Sequence, residues 1–203
     1  MEILKDIATI LGAISPFAIA YLGYYQYTRN KLTDLKIEQY KASEEAKAKR
    51  RNDNSAIVYD ELRDILHDLN ADRVYIVQPH PLGNESMLSI FFEVKRKGIE
   101  GMRTHVQELR IAEVTKFSSD LARNLFMYIT DIEGQVKDRY AQSLLSSYGT
   151  QSAIIKRLSD NTHDWVGSIF CEFTHEMTVS EEDAREILRS AATRIQYILP
   201  EYR

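Results

Sequence analysis

Three regimes of apolar and polar positions follow one another along the chain. From Ile7 to Thr28, I-A-T-I-L-G-A-I-S-P-F-A-I-A-Y-L-G-Y-Y-Q-Y-T, no residue carries a charge. At ~1.5 Å per residue, a helix of that length crosses a hydrocarbon core of ~30 Å. The run ends in Tyr24, Tyr25 and Tyr27, side chains that suit a membrane–water boundary. It exceeds the ~7 to 15 apolar residues of a cleaved leader and lacks the small-residue cleavage site. The pattern predicts a membrane anchor over residues 1–28, with Ile7, Pro16, Phe17, Tyr24 and Tyr25 among its membrane-facing positions. A buried core helix interrupted by Pro16 is the alternative.

The second regime, K-L-T-D-L-K-I-E-Q-Y-K-A-S-E-E-A-K-A-K-R-R from Lys31, is rich in helix formers and free of Gly and Pro, which predicts a polar helical stalk over residues 29–53. Leu32 and Leu35 open a heptad, but Gln39, Ala42 and Ala46 follow at the next seam positions, so the coiled-coil pattern ends after one repeat. Lys5 is the one basic residue ahead of the apolar run, whereas Arg29, Lys31, Lys36, Lys41 and Lys47 follow it. That asymmetry predicts a single-pass protein of the inner membrane, N-terminus out and C-terminal domain in the cytoplasm.

The third regime, residues 54–203, changes period element by element. Val58, Leu62, Ile65, Leu66 and Leu69 lie three and four apart, on one helical face. The β-rich D-R-V-Y-I-V-Q follows, stopped by Pro79, Pro81, Gly83 and Asn84, and then S-M-L-S-I-F-F-E-V from Ser86. Strand, loop, antiparallel strand is the expectation. Between Lys95 and Gln135 the pattern predicts a short helix capped at Ser118-Ser119-Asp120 and carrying Leu121, Leu125 and Tyr128. A second helix is expected at Asp138 to Tyr148. A second hairpin follows, S-A-I-I-K-R-L and D-W-V-G-S-I-F-C-E-F around the turn S-D-N-T-H. Ser180-Glu181-Glu182-Asp183 caps a closing helix with Ala184, Ile187, Leu188, Ala191, Ile195, Ile198 and Leu199 on one face, stopped by Pro200. The whole reads as an α+β domain: one antiparallel sheet with the first and last helices on one face.

Composition narrows the chemistry. The 203 residues are 44% hydrophobic and 28% charged with net charge −4, a folded domain plus an appendage with no basic field, so nucleic acid is not an expected partner. One cysteine, Cys171, excludes an internal disulfide and a multi-cysteine zinc site. His67, His80, His105, His163 and His175 have no H-x-x-x-H or H-E-x-x-H spacing, and the nearest grouping is His163-Asp164 with His175-Glu176. No metal and no cofactor is expected. The chain has no G-x-S-x-G, P-loop or G-x-G-x-x-G, and no enzymatic role is expected. Lys95, Arg96, Lys97 and Arg103 form a small basic cluster, read as a solvated or membrane-facing patch.

The order of elements and several phrases, A-D-R-V-Y-I-V-Q, S-I-F-F-E-V and the ending W-V-G-S-I-F-C-E-F before V-S-E-E-D-A-R-E-I-L-R-S-A-A-T-R-I, resemble a GAF domain over residues 55–199. In such domains the last strand carries a small residue, here Gly167. More narrowly, the chain resembles the small membrane-tethered GAF-like proteins of bacteria and bacteriophages, whose first strand runs into Q-F-H-N-G. Gln78 and His80 match that pattern, while Pro79 and Pro81 replace the aromatic and the turn asparagine. The resemblance implies a small-molecule pocket on the sheet face opposite the helices. Gln78 and His80, two apart on one strand, share a face, and with Glu93 on the partner strand they are the candidate ligand residues; a backbone-paired Gln78 and a surface His80 are the plain alternative. The cyclic-nucleotide signature N-K-x-x-F-x-x-x-D-E of the family is missing, and Cys171, the residue type through which bilin-binding members attach their chromophore, lies in an apolar strand as a packed thiol.

These readings together predict a non-enzymatic sensory or interaction module at the cytoplasmic membrane face, with the lipid bilayer, a small-molecule ligand or a second copy of the chain as partners. Two other classes stay open: a holin-type lysis protein of phage, which also joins a short span to a soluble domain, and an enzyme whose site has no recognised motif.

Overall fold

The computed structural model describes residues 2–199, and of the first twenty residues the backbone alone. The chain divides into two units, residues 1–51 and 52–203, and helix α1 is assigned from Glu2 to Asp68. In the first unit Tyr21, Tyr24, Tyr25 and Tyr27 are exposed. The Thr28 hydroxyl donates to the Tyr25 carbonyl at 2.9 Å, and Lys47 pairs with Glu44. The side chains of Ile7, Pro16 and Phe17, and those of Leu32 and Leu35 in the expected seam, lie outside the described residues. Among the described residues no helix is long and apolar enough to cross a membrane.

The second unit is built on a six-stranded antiparallel sheet, order β3-β2-β1-β6-β5-β4. Its strands are β1 (Arg73–Leu82), β2 (Glu85–Lys95), β3 (Leu109–Arg110), β4 (Phe126–Ile129), β5 (Ser152–Ser159) and β6 (Trp165–Phe173). The helices are α2 (Thr115–Arg123), α3 (Ile132–Gln135), α4 (Arg139–Ser147) and α5 (Glu181–Ile195), with a 3-10 turn at Ile111–Val114. Period-2 alternation sorts each central strand onto two layers. Val74, Ile76, Ile154, Leu158, Ile169 and Cys171 pack with Val58, Leu62 and Ile65 of α1 and Ala184, Leu188 and Ala191 of α5. Tyr75, Val77, Ile90, Ile155 and Phe170 pack on the other face with Val114, Phe117, Leu121, Ile132, Ala141 and Leu145.

The strand and helix pattern departs from expectation at identifiable places. β1 runs through both prolines to Leu82 and meets β2 across a two-residue turn, Gly83-Asn84, with Gly83 at φ +61°. β6 pairs β1 only from Arg73 to Val77; beyond that one edge of β1 is open, and a proline without an N–H costs no ladder bond there. Ser118 to Asp120 lie inside α2 rather than capping it, and Tyr128, expected on that helix, belongs to strand β4. Asn124 leaves the helix at φ −84°, ψ 122°. The closing helix ends at Ile195, four residues before Leu199. Ser180 caps it as the sequence indicates, its hydroxyl accepting from the Asp183 N–H at 3.1 Å.

Candidate functional site

Between the sheet and its smaller helices lies a cavity of about 40 Å³. Tyr75, Val77, Leu88 and Phe170 form its floor; Met102, Val106, Phe117, Leu121 and Leu145 are among its walls. Every lining side chain is apolar or aromatic, and the Tyr75 ring stacks on Phe170 with centroids 5.1 Å apart and planes at 10°.

The segment from Gly98 to Glu108 closes one side of this cavity, held by hydrogen bonds that the strands supply. Glu93 of β2 accepts from the Met102 N–H at 2.5 Å and the Arg103 N–H at 3.2 Å. Gln107 donates to the Ile90 carbonyl at 2.8 Å, and the Glu108 N–H donates to the Ser89 hydroxyl at 2.9 Å. The Tyr148 hydroxyl and His105 Nδ1 lie 2.8 Å apart, their rings 4.2 Å apart by centroid.

Beside the cavity sits a fully buried charged network. The Glu172 carboxylate takes Arg73 Nε at 2.8 Å and Nη2 at 2.5 Å on Oε2, where the Thr150 hydroxyl also donates at 2.8 Å. Its Oε1 accepts the Tyr75 hydroxyl. Arg73 Nη1 reaches on to the Glu100 carbonyl at 2.9 Å, and Nη2 to the Tyr148 carbonyl at 3.2 Å. Buried ions persist when their hydrogen-bonding capacity is met in this way. Burial, reinforced by the Glu172 charge, pushes the Tyr75 hydroxyl far above its ordinary range. The network therefore ties both the 98–108 segment and the α4–β5 turn to strand β1, and spends its polar groups on one another rather than on the cavity.

The residues singled out in the sequence are not brought together. Gln78, buried beside Gly167, donates to the Val166 carbonyl at 3.5 Å, and His80 Nε2 meets the Ser89 hydroxyl at 2.9 Å with its ring edge-on to Phe91. Both lie on the α1 and α5 side of the sheet, whereas Glu93 lies on Tyr75's side. Alternation explains the split, since odd-numbered Tyr75 and Val77 face the cavity. Cys171 is buried among the α1 and α5 contacts, one strand face away from the cavity, and burial together with Glu172 raises its thiol far above the usual range. In the basic cluster, Arg96 donates to the Ala71 carbonyl at 2.9 Å and Lys95 to the Ile99 carbonyl at 2.6 Å. His163 stands in the β5–β6 turn, and His175 at the other end of β6 against Asp72. Among the described residues no group of three His, Cys, Asp or Glu is arranged to hold a metal.

Sequence reasoning passed over Arg73, Tyr75, Thr150 and Glu172. The signal was a lone charge in each of two otherwise apolar strand stretches, Arg73 in R-V-Y-I-V and Glu172 in F-C-E-F.

No family model and no curated protein matches the chain. Solved structures do. The GAF domain of PixJ from Thermosynechococcus elongatus aligns with TM-score 0.58 at 14% identity, over 73% of this chain and 86% of that one. A phycoerythrobilin-bound GAF domain from a cyanobacterial phytochrome aligns with TM-score 0.58 at 15% identity, over 76% and 89%. The photoproduct state of GAF3 from Slr1393 of Synechocystis sp. PCC6803 gives 0.58 at 11%, over 73% and 93%. What this chain shares with these domains is the GAF fold, a six-stranded antiparallel sheet between two layers of helices.

Proposed function

We propose that the protein is a non-catalytic sensory or interaction module of GAF type, tethered to the cytoplasmic membrane by its N-terminal segment, whose sensing site is the cavity beneath Tyr75 and Phe170. The observation that carries this reading is the cavity itself: lined by apolar and aromatic side chains, at the face opposite α1 and α5, with the adjacent polar groups engaged among themselves. Ligand pockets for drug-sized molecules hold ~300–1,000 Å³. A space of about 40 Å³ therefore takes an apolar molecule of a few heavy atoms, not a group the size of the phycoerythrobilin in one of the similar structures. Ile57 and Tyr197, exposed on the α1 and α5 side, offer the surface for a homodimer under the same reading.

Thermal unfolding of the full chain under xenon, and under ethane or cyclopropane, tests the sensing site. A ligand that binds the folded state alone raises Tm with its concentration, and Val106→Ile, which fills the space, should abolish the rise. If none of the three shifts Tm, the cavity is not a sensing site and the interaction role alone remains.

A further inference from the structure

β4 is an edge strand whose outer side is unpaired by the sheet. The Arg157 N–H donates to the Leu125 carbonyl at 3.2 Å, and the register runs Phe126↔Lys156, Met127↔Ile155, Tyr128↔Ile154, Ile129↔Ala153. In an antiparallel pair the bonded positions alternate, so Leu125, Met127 and Ile129 bond to β5 while Phe126 and Tyr128 turn their N–H and C=O groups outward. The strand Phe-Met-Tyr-Ile is short, four residues, but has no charge, proline or bulge, three other devices that blunt an edge.

Clefts lie on both sides of this edge. Toward the small helices is a groove of about 460 Å³ along Phe126–Ile129, walled by Phe117 and Asp120 on one side and Gly134 to Lys137 on the other. Toward α5 is a cleft of about 420 Å³ holding Leu125, Lys156, Arg185 and Arg189, together with Glu182 and Glu186. Arg185 lies over the Phe126 ring at 4.2 Å and pairs with Glu181 at 2.6 Å. Among the described residues neither Lys156 nor Arg189 has an ion-pair partner, and burial, with Arg185 nearby, lowers the Lys156 pKa. A half-buried ammonium beside a guanidinium, with Glu182 and Glu186 in the same cleft but neither at ion-pair distance from it, is an incompletely met electrostatic demand.

We propose that the outer edge of β4 docks an extended segment of a partner protein, which adds as a seventh strand and alternates acidic side chains into the Lys156–Arg185–Arg189 cleft with apolar side chains into the groove beside Phe117 and Val136. Main-chain bonds to Phe126 and Tyr128 supply the attachment, and the two clefts read alternate side chains. The glutamates in the α5 cleft limit it to sparse acidic positions and reject an unbroken acidic run.

The test uses the full chain and a short fluorescent peptide of alternating Glu and Val, against the same peptide with Lys for Glu. Expected are binding of the Glu peptide alone, a loss of about tenfold or more in affinity with Lys156→Glu, and slowed amide exchange at Phe126 and Tyr128 in the complex. Lys156→Glu sets a carboxylate beside Arg185, so the variant should keep its Tm. Equal binding of both peptides, no binding of either, indifference to Lys156→Glu, or charge-dependent binding without protection of those two amides each overturns the proposal.

Discussion

Individual side chains hold this molecule at two polar points whose energetics differ in kind. Arg73 and Glu172 are fully buried, and removing one partner of such a pair strands the other charge in low dielectric, at a cost of about 3–5 kcal/mol. Arg73→Met should show that loss in urea unfolding. The double change Arg73→Met/Glu172→Met should cost less than Arg73→Met alone, because no uncompensated charge remains; a larger loss would mean that the network adds net stability rather than merely satisfying itself. Asp72 responds to pH instead. Burial raises its pKa, but the Thr174 N–H and hydroxyl, each at 2.7 Å, and His175 at 2.9 Å outweigh burial and leave it lowered. A carboxyl whose folded pKa is depressed contributes stability that is present above its unfolded pKa of about 3.9 and fades as pH falls through the folded value. The stability gap between the native chain and Asp72→Asn should therefore be present above about pH 5 and narrow progressively as pH falls below about 4. A gap that does not narrow at all as pH falls through the acid range would show that Asp72 acts through packing.

Strand contact depends on one glycine. A Cβ on Gly167 would sit 3.0 Å from the Val77 carbonyl and 3.3 Å from Gln78 Cγ, so β1 and β6 would have to separate where β1 carries the Tyr75 floor of the cavity. Gly167→Ala should cost about 1–3 kcal/mol, and the loss should appear in urea unfolding without a change of fold by circular dichroism. The sequence marks this small residue, and it also marks both hairpins, α4 and the Ser180 cap, because each rests on local chemistry: alternation, turn residues, a hydroxyl beside acids. It does not mark β3, two residues long, or β4. Leu121, Leu125 and Tyr128, four and three apart, have helical spacing, and what makes Phe126–Ile129 a strand is its register with Ile154 and Ile155, far along the chain. The prolines mislead in the opposite sense, since their effect depends on which edge of β1 is open. The same dependence on tertiary partners hides the cavity: Gln78 and His80 carry the polar chemistry a site would need, yet parity places them on the α1 and α5 face.

At the scale of the whole molecule, the GAF fold of the second unit is independent of how the chain meets a membrane, and topology therefore decides between functional classes. The apolar run from Ile7 to Thr28 is followed by Arg29, Lys31, Lys36, Lys41 and Lys47 and preceded by Lys5 alone. Basic residues are retained on the cytoplasmic side of a span, so the proposed anchored sensor predicts residues 52–203 on the cytoplasmic side, and the prediction is open to a direct test. Two fusions after Arg203 read this directly. A green fluorescent reporter should be bright and an alkaline phosphatase reporter inactive, because the phosphatase requires the oxidising side to form its disulfides. Replacing Arg29, Lys31 and Lys36 with Gln, with Lys added beside Lys5, should invert both signals if charge sets the orientation. An active phosphatase on the unaltered chain would place the GAF fold outside, remove the cytoplasmic sensor reading, and favour the lysis-type reading, which loss of membrane potential on expression would then check.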